Sequence, residues 1–198
     1  MAEGAAHPVG IDQFAQGLAA IPDLKPDAVL SYLQAHPVQP DSLQPYLFFS
    51  PASYTRNLIF KNDLFELIAI CWEVGQVSRI HNHRNQLCWM AVPIGKLKTQ
   101  NYRVENRNPA QGSCRLVPAE SFLLTPAEPA QVDQEEPVHQ VLNLAEYKQR
   151  AVSLHIYSRP FNTCEIYQID RGTYCDVELE YTSEYGRLCD GQTTAARP

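Results

Sequence analysis

Three histidines with particular neighbours carry the clearest chemical capacity of this chain. His81 and His83 close the run Gly75-Gln76-Val77-Ser78-Arg79-Ile80-His81-Asn82-His83, and Gly95 follows twelve residues later. His139 opens a His-x-x-x-Asn that ends at Asn143. Residues two apart on a β-strand point to the same side, so His81 and His83 can aim both imidazoles at one point. A third imidazole from another strand completes a three-nitrogen metal site with open positions for substrate and for oxygen or water. Three neutral ligands leave a divalent metal its full charge, which favours an anionic partner such as a thiolate. These ligands accept zinc as well as iron.

Elements that position the histidines follow from periodicity. Ile11, Phe14, Ala15 and Leu18 recur at helical spacing, which predicts an amphipathic helix ended by Pro22. Pro26 and Asp27 start a second helix with Val29, Tyr32 and Leu33 on one face, and Asp41-Ser42 caps a short third turn bearing Leu43 and Leu47. From Tyr54 onward the pattern is strands: 57–61, 65–72, 88–93, 96–104, 114–117, 121–124, 138–144, 152–157, 164–169 and 173–181. Many short strands at regular spacing predict a mainly β fold, an antiparallel barrel or jelly roll with the N-terminal helices packed outside. The expected organisation is one domain over 1–198. It has a helical segment 1–50, a barrel 51–187 and a disordered tail 188–198, with an exposed Pro- and Glu-rich loop at 125–137.

Composition narrows the partners. The 198 residues are 44% hydrophobic and 19% charged, with net charge −6. No Lys/Arg run marks a phosphate-binding face, so nucleic acid is excluded as the expected partner. No apolar stretch approaches the roughly 18 residues of a membrane helix, and the first residues lack the basic and apolar regions of a secretory signal. Six cysteines without a CxxC are expected as free thiols in the cytoplasm, in a protein acting as a monomer on small molecules.

The spacing of glycines and histidines resembles the first motif of the cupin superfamily, and His139 with Asn143 resembles the second. Most cupins carry Glu where this chain has Cys88. That change, with Ser153-Leu154-His155-Ile156-Tyr157, resembles the thiol dioxygenases and within them the cysteine dioxygenase family. Tyr54-Thr55-Arg56-Asn57-Leu58, Cys71-Trp72, Phe161-Asn162-Thr163-Cys164 and Ser183-Glu184-Tyr185-Gly186 extend the resemblance over about Asp41 to Gly186. It implies a cupin-type barrel holding Fe(II) on His81, His83 and His139. The implied reaction adds both atoms of O2 to the sulfur of L-cysteine, giving cysteine sulfinate.

The resemblance also implies roles. Arg56 takes the substrate carboxylate through its planar fork, supported by Tyr54. Tyr157 lies beside the iron, oriented by His155 and Ser153 two and four residues earlier. Cys88 forms a thioether with Tyr157. Trp72 is equally a pocket wall or a core aromatic, and Cys164 sits near the mouth. Two departures stand out. Ser158-Arg159-Pro160 replaces the family's Ser-Pro-Pro with its cis bond, which a non-proline disfavours by roughly 2.5–4 kcal/mol. Leu87 replaces the His that animal enzymes place before the cysteine. An arginine near Arg159 binds the carboxylate in related 3-mercaptopropionate dioxygenases, so Arg159 is a second substrate-binding candidate and that acid an alternative substrate. A metal-bound cupin that senses a thiol without turnover is the alternative outside enzymes.

Overall fold

The computed structural model describes residues 6–132 and 137–192. Helix α1 (Ile11–Ala19) buries the four residues whose spacing predicted it, and α2 (Pro26–Ala35) buries Val29 and Leu33. A 3₁₀ segment, Pro40–Tyr46, buries Leu43. Thirteen strands are described: β1 (Thr55–Lys61), β2 (Phe65–Trp72), β3 (Ile80–His81), β4 (Cys88–Ile94), β5 (Leu97–Asn108), β6 (Ser113–Leu124), β7 (Ala130–Gln131), β8 (Val138–Leu142), β9 (Ala151–Ser158), β10 (Thr163–Gln168), β11 (Thr173–Glu178), β12 (Ser183–Glu184) and β13 (Arg187–Leu188). They form two sheets, as a jelly roll requires. One runs β13-β12-β1-β2-β9-β4-β7, and the other pairs round a ring β10-β11-β6-β5-β8-β3.

The centre of the first sheet, β2 and β9, is buried on both faces, and this explains its sequence. Every residue of β2 is buried and all of β9 but Ser158. On β9, Val152, Leu154 and Ile156 pack outward with Phe14, Leu18, Val29 and Leu33 of the helices. Tyr157 turns inward with Cys88, Met90 and Val92 of β4 and with Ile68 and Ile70 of β2. Sheets covered on both faces read as continuous apolar runs, and β2 does so.

Three expectations change. The pairing is not wholly antiparallel, since β12 lies parallel to β1 with Asn57 opposite Ser183 and Leu58 opposite Glu184. The strands expected at 114–117 and 121–124 are one strand, β6, whose ladder with β5 slips beside Pro118. The first positions of the expected disordered tail are structured: Leu188 pairs with Ser183, and the Cys189 N–H donates to the Thr182 carbonyl at 3.0 Å. Its remainder, 193–198, and positions 133–136 of the expected loop lie outside the described residues.

Candidate metal centre

Strand β3 is two residues long and sits between β8 and β10. His81 pairs with His139 on one side and with Ile166 on the other. The register alone therefore sets His139 opposite His81, and His83, two residues on and past the end of the strand, comes to the same side. The potential ligand atoms of the three histidines lie within 4.8 Å of one another. His81 Nδ1 lies 2.8 Å from the Arg79 carbonyl, which fixes that ring with Nε2 free for a ligand role. His83 and His139 are buried, and neither nitrogen of either ring has a hydrogen-bond partner. Leaving a buried polar group unsatisfied costs about 1–3 kcal/mol. A cation between the rings would engage nitrogens that otherwise have no counterpart, so the residues present fit a metal. Burial pushes the His81 imidazole down to about 4. It pushes His83 and His139 well below their ordinary value, with the neighbouring imidazoles adding to the effect. Neutral imidazole is the metal-binding form.

The other motif residues build the frame. Gly95 has φ +76, and a Cβ there would stand 2.6 Å from the Arg150 carbonyl oxygen, so both conformation and closeness demand glycine. The Asn143 amide donates to the carbonyls of Trp72, Glu73 and Gln149 at 3.0–3.4 Å, stapling the loop that leads to His81. Ser78 extends the staple, since the Val141 N–H donates to its hydroxyl at 3.0 Å.

Beside the histidines, β9 carries an alternating polar row on its inner face. Trp72 Nε1–H donates to Ser153 Oγ at 2.9 Å. Ser153 Oγ lies 2.9 Å from His155 Nε2, and the Tyr157 hydroxyl lies 3.1 Å from His155 Nδ1. The Tyr157 ring centroid is 5.1 Å from that of His83. Burial lowers the His155 imidazole to about 3 and raises the Tyr157 phenol well above its ordinary value, so both are neutral near pH 7. Cys88 is the cross-strand partner of Tyr157, with its thiol in hydrogen-bonding reach of the phenol and held protonated by burial.

These groups open into a cavity of about 510 Å³ lined by His81, His83, Tyr157, Arg56, Tyr54 and Cys164, among others. Arg56 Nε and Nη2 are buried there without partners. Its backbone is held at both ends by Thr182: the Arg56 N–H donates to Thr182 Oγ1 at 3.3 Å, and the Thr182 N–H donates to the Arg56 carbonyl at 2.7 Å. Tyr54 stacks on Trp72 with ring centroids 4.7 Å apart, and burial raises its hydroxyl. Trp72 does not line the cavity; it holds Tyr54 and Ser153 from behind.

Arg159 does not join them. Strand β9 ends at Ser158, and Arg159 adopts φ 59, with its N–H donating to the Leu64 carbonyl at 2.6 Å. That left-handed turn carries Arg159 into a separate cavity with Asp23, Leu64, Asn85 and Leu87. The expectation that it binds substrate beside Arg56 is corrected accordingly, and Leu87 faces the same second cavity rather than the histidines.

Sequence reasoning passed over several groups. Phe161 walls the cavity edge-on to Tyr157, centroids 5.1 Å apart. Tyr181 places its ring 5.9 Å from the Arg56 guanidinium carbon and donates its hydroxyl to buried Glu66. Tyr181 ends the expected strand 173–181, whose local pattern suggested ordinary strand residues, and Phe161 stands in a segment that resembled the family without being given a role.

The family model described as Cysteine dioxygenase type I matches residues 10–170. Cysteine dioxygenase type 1 of Homo sapiens is 30% identical over 161 residues, covering 81% of this chain and 78% of that protein. The Danio rerio protein of the same name is 28% identical over the same shares. Among solved structures, a cupin domain from Bordetella pertussis is similar over 58% of this chain and 99% of its own, at 13% identity and TM-score 0.39. Matched over four-fifths of its length by this one group, the chain belongs to the cysteine dioxygenase type I family.

Proposed function

We propose that this thiol dioxygenase uses Fe(II) on His81, His83 and His139 and that its substrate is L-cysteine, converted with O2 to cysteine sulfinate. The carrying observation is one cavity lined both by His81 and His83 of the three-histidine cluster and by Arg56, two of whose guanidinium nitrogens are buried without a partner. Iron held by the histidines would supply a Lewis-acidic redox centre at which thiolate and dioxygen react.

The protein's own groups divide the remaining work. Arg56 offers two parallel N–H donors to a carboxylate, with Tyr54 beside it. Tyr157 is a neutral donor. With Trp72 donating to Ser153, the row can run Ser153 to His155 Nε2 and His155 Nδ1–H to the phenol oxygen, leaving the phenol proton free to point into the cavity. Phe161 and Cys164 narrow the cavity and limit water. Cys88, directly across from Tyr157, is placed for the family's thioether: a carbon–sulfur bond forms beside the hydroxyl, and two hydrogens leave to oxygen during turnover. Because Arg159 lies in another cavity, cysteine is favoured over 3-mercaptopropionate. The six free cysteines suit the reducing cytoplasm, where the reaction would serve cysteine catabolism.

The test is oxygen uptake by iron-loaded protein, with kcat/KM compared for cysteine and 3-mercaptopropionate and ¹⁸O₂ traced into the product. Both labelled atoms in cysteine sulfinate, with cysteine preferred, is the expected result. A higher kcat/KM for 3-mercaptopropionate would reverse the substrate assignment, and no uptake with either thiol would remove the catalytic reading.

A further inference from the structure

His83 belongs to no strand. The ladder stops at His81, and the chain then turns, with Arg84 and Asn85 both at left-handed φ (51 and 64) and the Gln86 N–H returning to the His83 carbonyl at 2.9 Å. Something other than sheet pairing must hold the His83 ring in line with His81 and His139.

Asn82 supplies it. Its N–H donates to the Glu165 carbonyl at 3.2 Å, and its Oδ1 accepts the Glu165 N–H at 3.2 Å. The side-chain oxygen thus takes the place of a backbone carbonyl and carries the β3–β10 ladder one residue further. The same Oδ1 accepts the Arg84 N–H at 3.4 Å, which fixes the turn after His83. The Asn82 amide then donates to Glu165 Oε2 at 2.7 Å. Glu165, almost fully buried, is itself held: Arg107 forks onto both carboxylate oxygens at 3.1 and 2.6 Å, and the Tyr167 hydroxyl donates at 2.8 Å. Glu165 and Tyr167 share the outer face of β10, while Cys164 and Ile166 line the cavity on the inner face.

We propose that Asn82, clamped by the Glu165–Arg107 pair, is the positioning residue of the metal centre and sets the direction of His83. The inference rests on the three-histidine site binding a metal. Neighbours that orient ligands commonly change metal affinity 10- to 100-fold when removed. The clamp acts through the backbone on either side of His83 rather than through the imidazole itself.

Co(II) titration of the full-length metal-free protein, read by chelator competition and by the visible d–d absorption, provides the test. Asn82→Ala and Glu165→Gln should each weaken Co(II) binding about tenfold or more and alter the absorption band. Asp176→Asn, which breaks only the exposed ion pair to Arg84, should leave affinity within about twofold. Thermal midpoints of the metal-free proteins are recorded in parallel, because a purely structural clamp would lower them and leave the affinity of the folded variants unchanged. If Asn82→Ala does not fold, Asn82→Asp keeps the acceptor and loses the donor, and is expected to weaken Co(II) likewise. Folded Asn82 and Glu165 variants with wild-type affinity and absorption would overturn the clamp. Wild-type protein that binds no Co(II) would overturn the metal site and the clamp together.

Discussion

His81 and His83 turn into the barrel and Asn82, between them, turns out, and the two sides of this tripeptide are built on opposite terms. Inside, His83 and His139 have no partner at any ring nitrogen. Outside, the Asn82 amide and the Glu165 carboxylate are hydrogen-bonded at every nitrogen and oxygen. His83 and His139 inside and Glu165 outside are all buried, so the difference among them lies in satisfaction rather than burial. The outer side is complete in the protein alone, whereas the inner side is complete only with something added. An unsatisfied cluster held by a satisfied one is what a preorganised ligand set requires.

Stability and metal binding should respond oppositely on the two sides, and this is the largest expected effect. His139→Leu should abolish iron binding and oxygen consumption, yet leave the metal-free protein as stable as wild type or more so, because an unsatisfied buried group is replaced by an apolar one. Glu165→Leu should lower metal-free stability by about 1–3 kcal/mol, since Asn82 and Arg107 lose their partner. Chemical denaturation of the two metal-free variants checks this; equal destabilisation would erase the contrast.

Arg56 extends the inner side's incompleteness to the substrate. Arg56→Ala should raise KM for cysteine by a factor of ten or more, and Arg56→Lys less, because lysine keeps the charge and loses the fork. Steady-state oxygen uptake decides, and unchanged kinetics in Arg56→Ala would remove its role.

Acid should separate the two sides by range. His81 and His155 are lowered to about 4 and about 3, against about 6.5 when unfolded. The unfolded chain therefore binds protons first. The stability held above about pH 6.5 is lost progressively as pH falls toward these folded values. Burial pushes the Glu165 carboxyl up, but Arg107, Tyr167 and Asn82 outweigh it and hold it below the usual carboxylate range. Its contribution is present above about pH 4.3 and is lost only as pH falls through its lower folded value. Thermal midpoints of metal-free protein across pH 7 to 4 should fall mainly through the histidines, and His155→Phe should flatten that part of the curve.

The smallest effect concerns Cys88. A crosslinked species, short by two hydrogens in the joined Cys88 and Tyr157 peptides, should accumulate on turnover with iron, cysteine and air. Cys88→Gly should remove it and slow the reaction several-fold without abolishing it, since the sulfur is not a metal ligand in this scheme. Peptide mass spectrometry after turnover that finds only separate peptides would count against the link.

What could be read from the sequence was whatever had a period or a spacing. The helix at Ile11–Ala19 and the all-buried β2 follow from apolar pattern, and the register that sets His139 against His81 is a simple rule, whereas the Asn82 contacts beside His83 leave no local signal. The sequence pattern divided β6 at 118–120, but β6 pairs with β11 only at Ser113, so its free edge tolerates Pro118, a residue without an N–H, at a bulge. Two-residue strands such as β3 and β12 have no period to detect. Glu66 and Glu165 look like surface charges in sequence and are buried because partners arrive from elsewhere: Tyr181 is 115 residues from Glu66, and Arg107 is 58 from Glu165. Arg159 follows a strand that sequence located well, yet one left-handed residue redirects it.

The parallel pairing of β12 with β1 has a consequence in time. Arg56 is bonded to Thr182 and Asn57 to Ser183 across 126 residues of chain, so these contacts carry one of the longest loop closures in the protein. Helices and hairpins such as β1–β2 can form from neighbouring sequence, but the edge that braces Arg56 waits for the chain through Leu188 to be made. During synthesis, the three clustered histidines would be present before the Arg56 edge is closed. A chain stopped after Glu180 should still gather its three histidines, with Arg56 left on an unbraced strand.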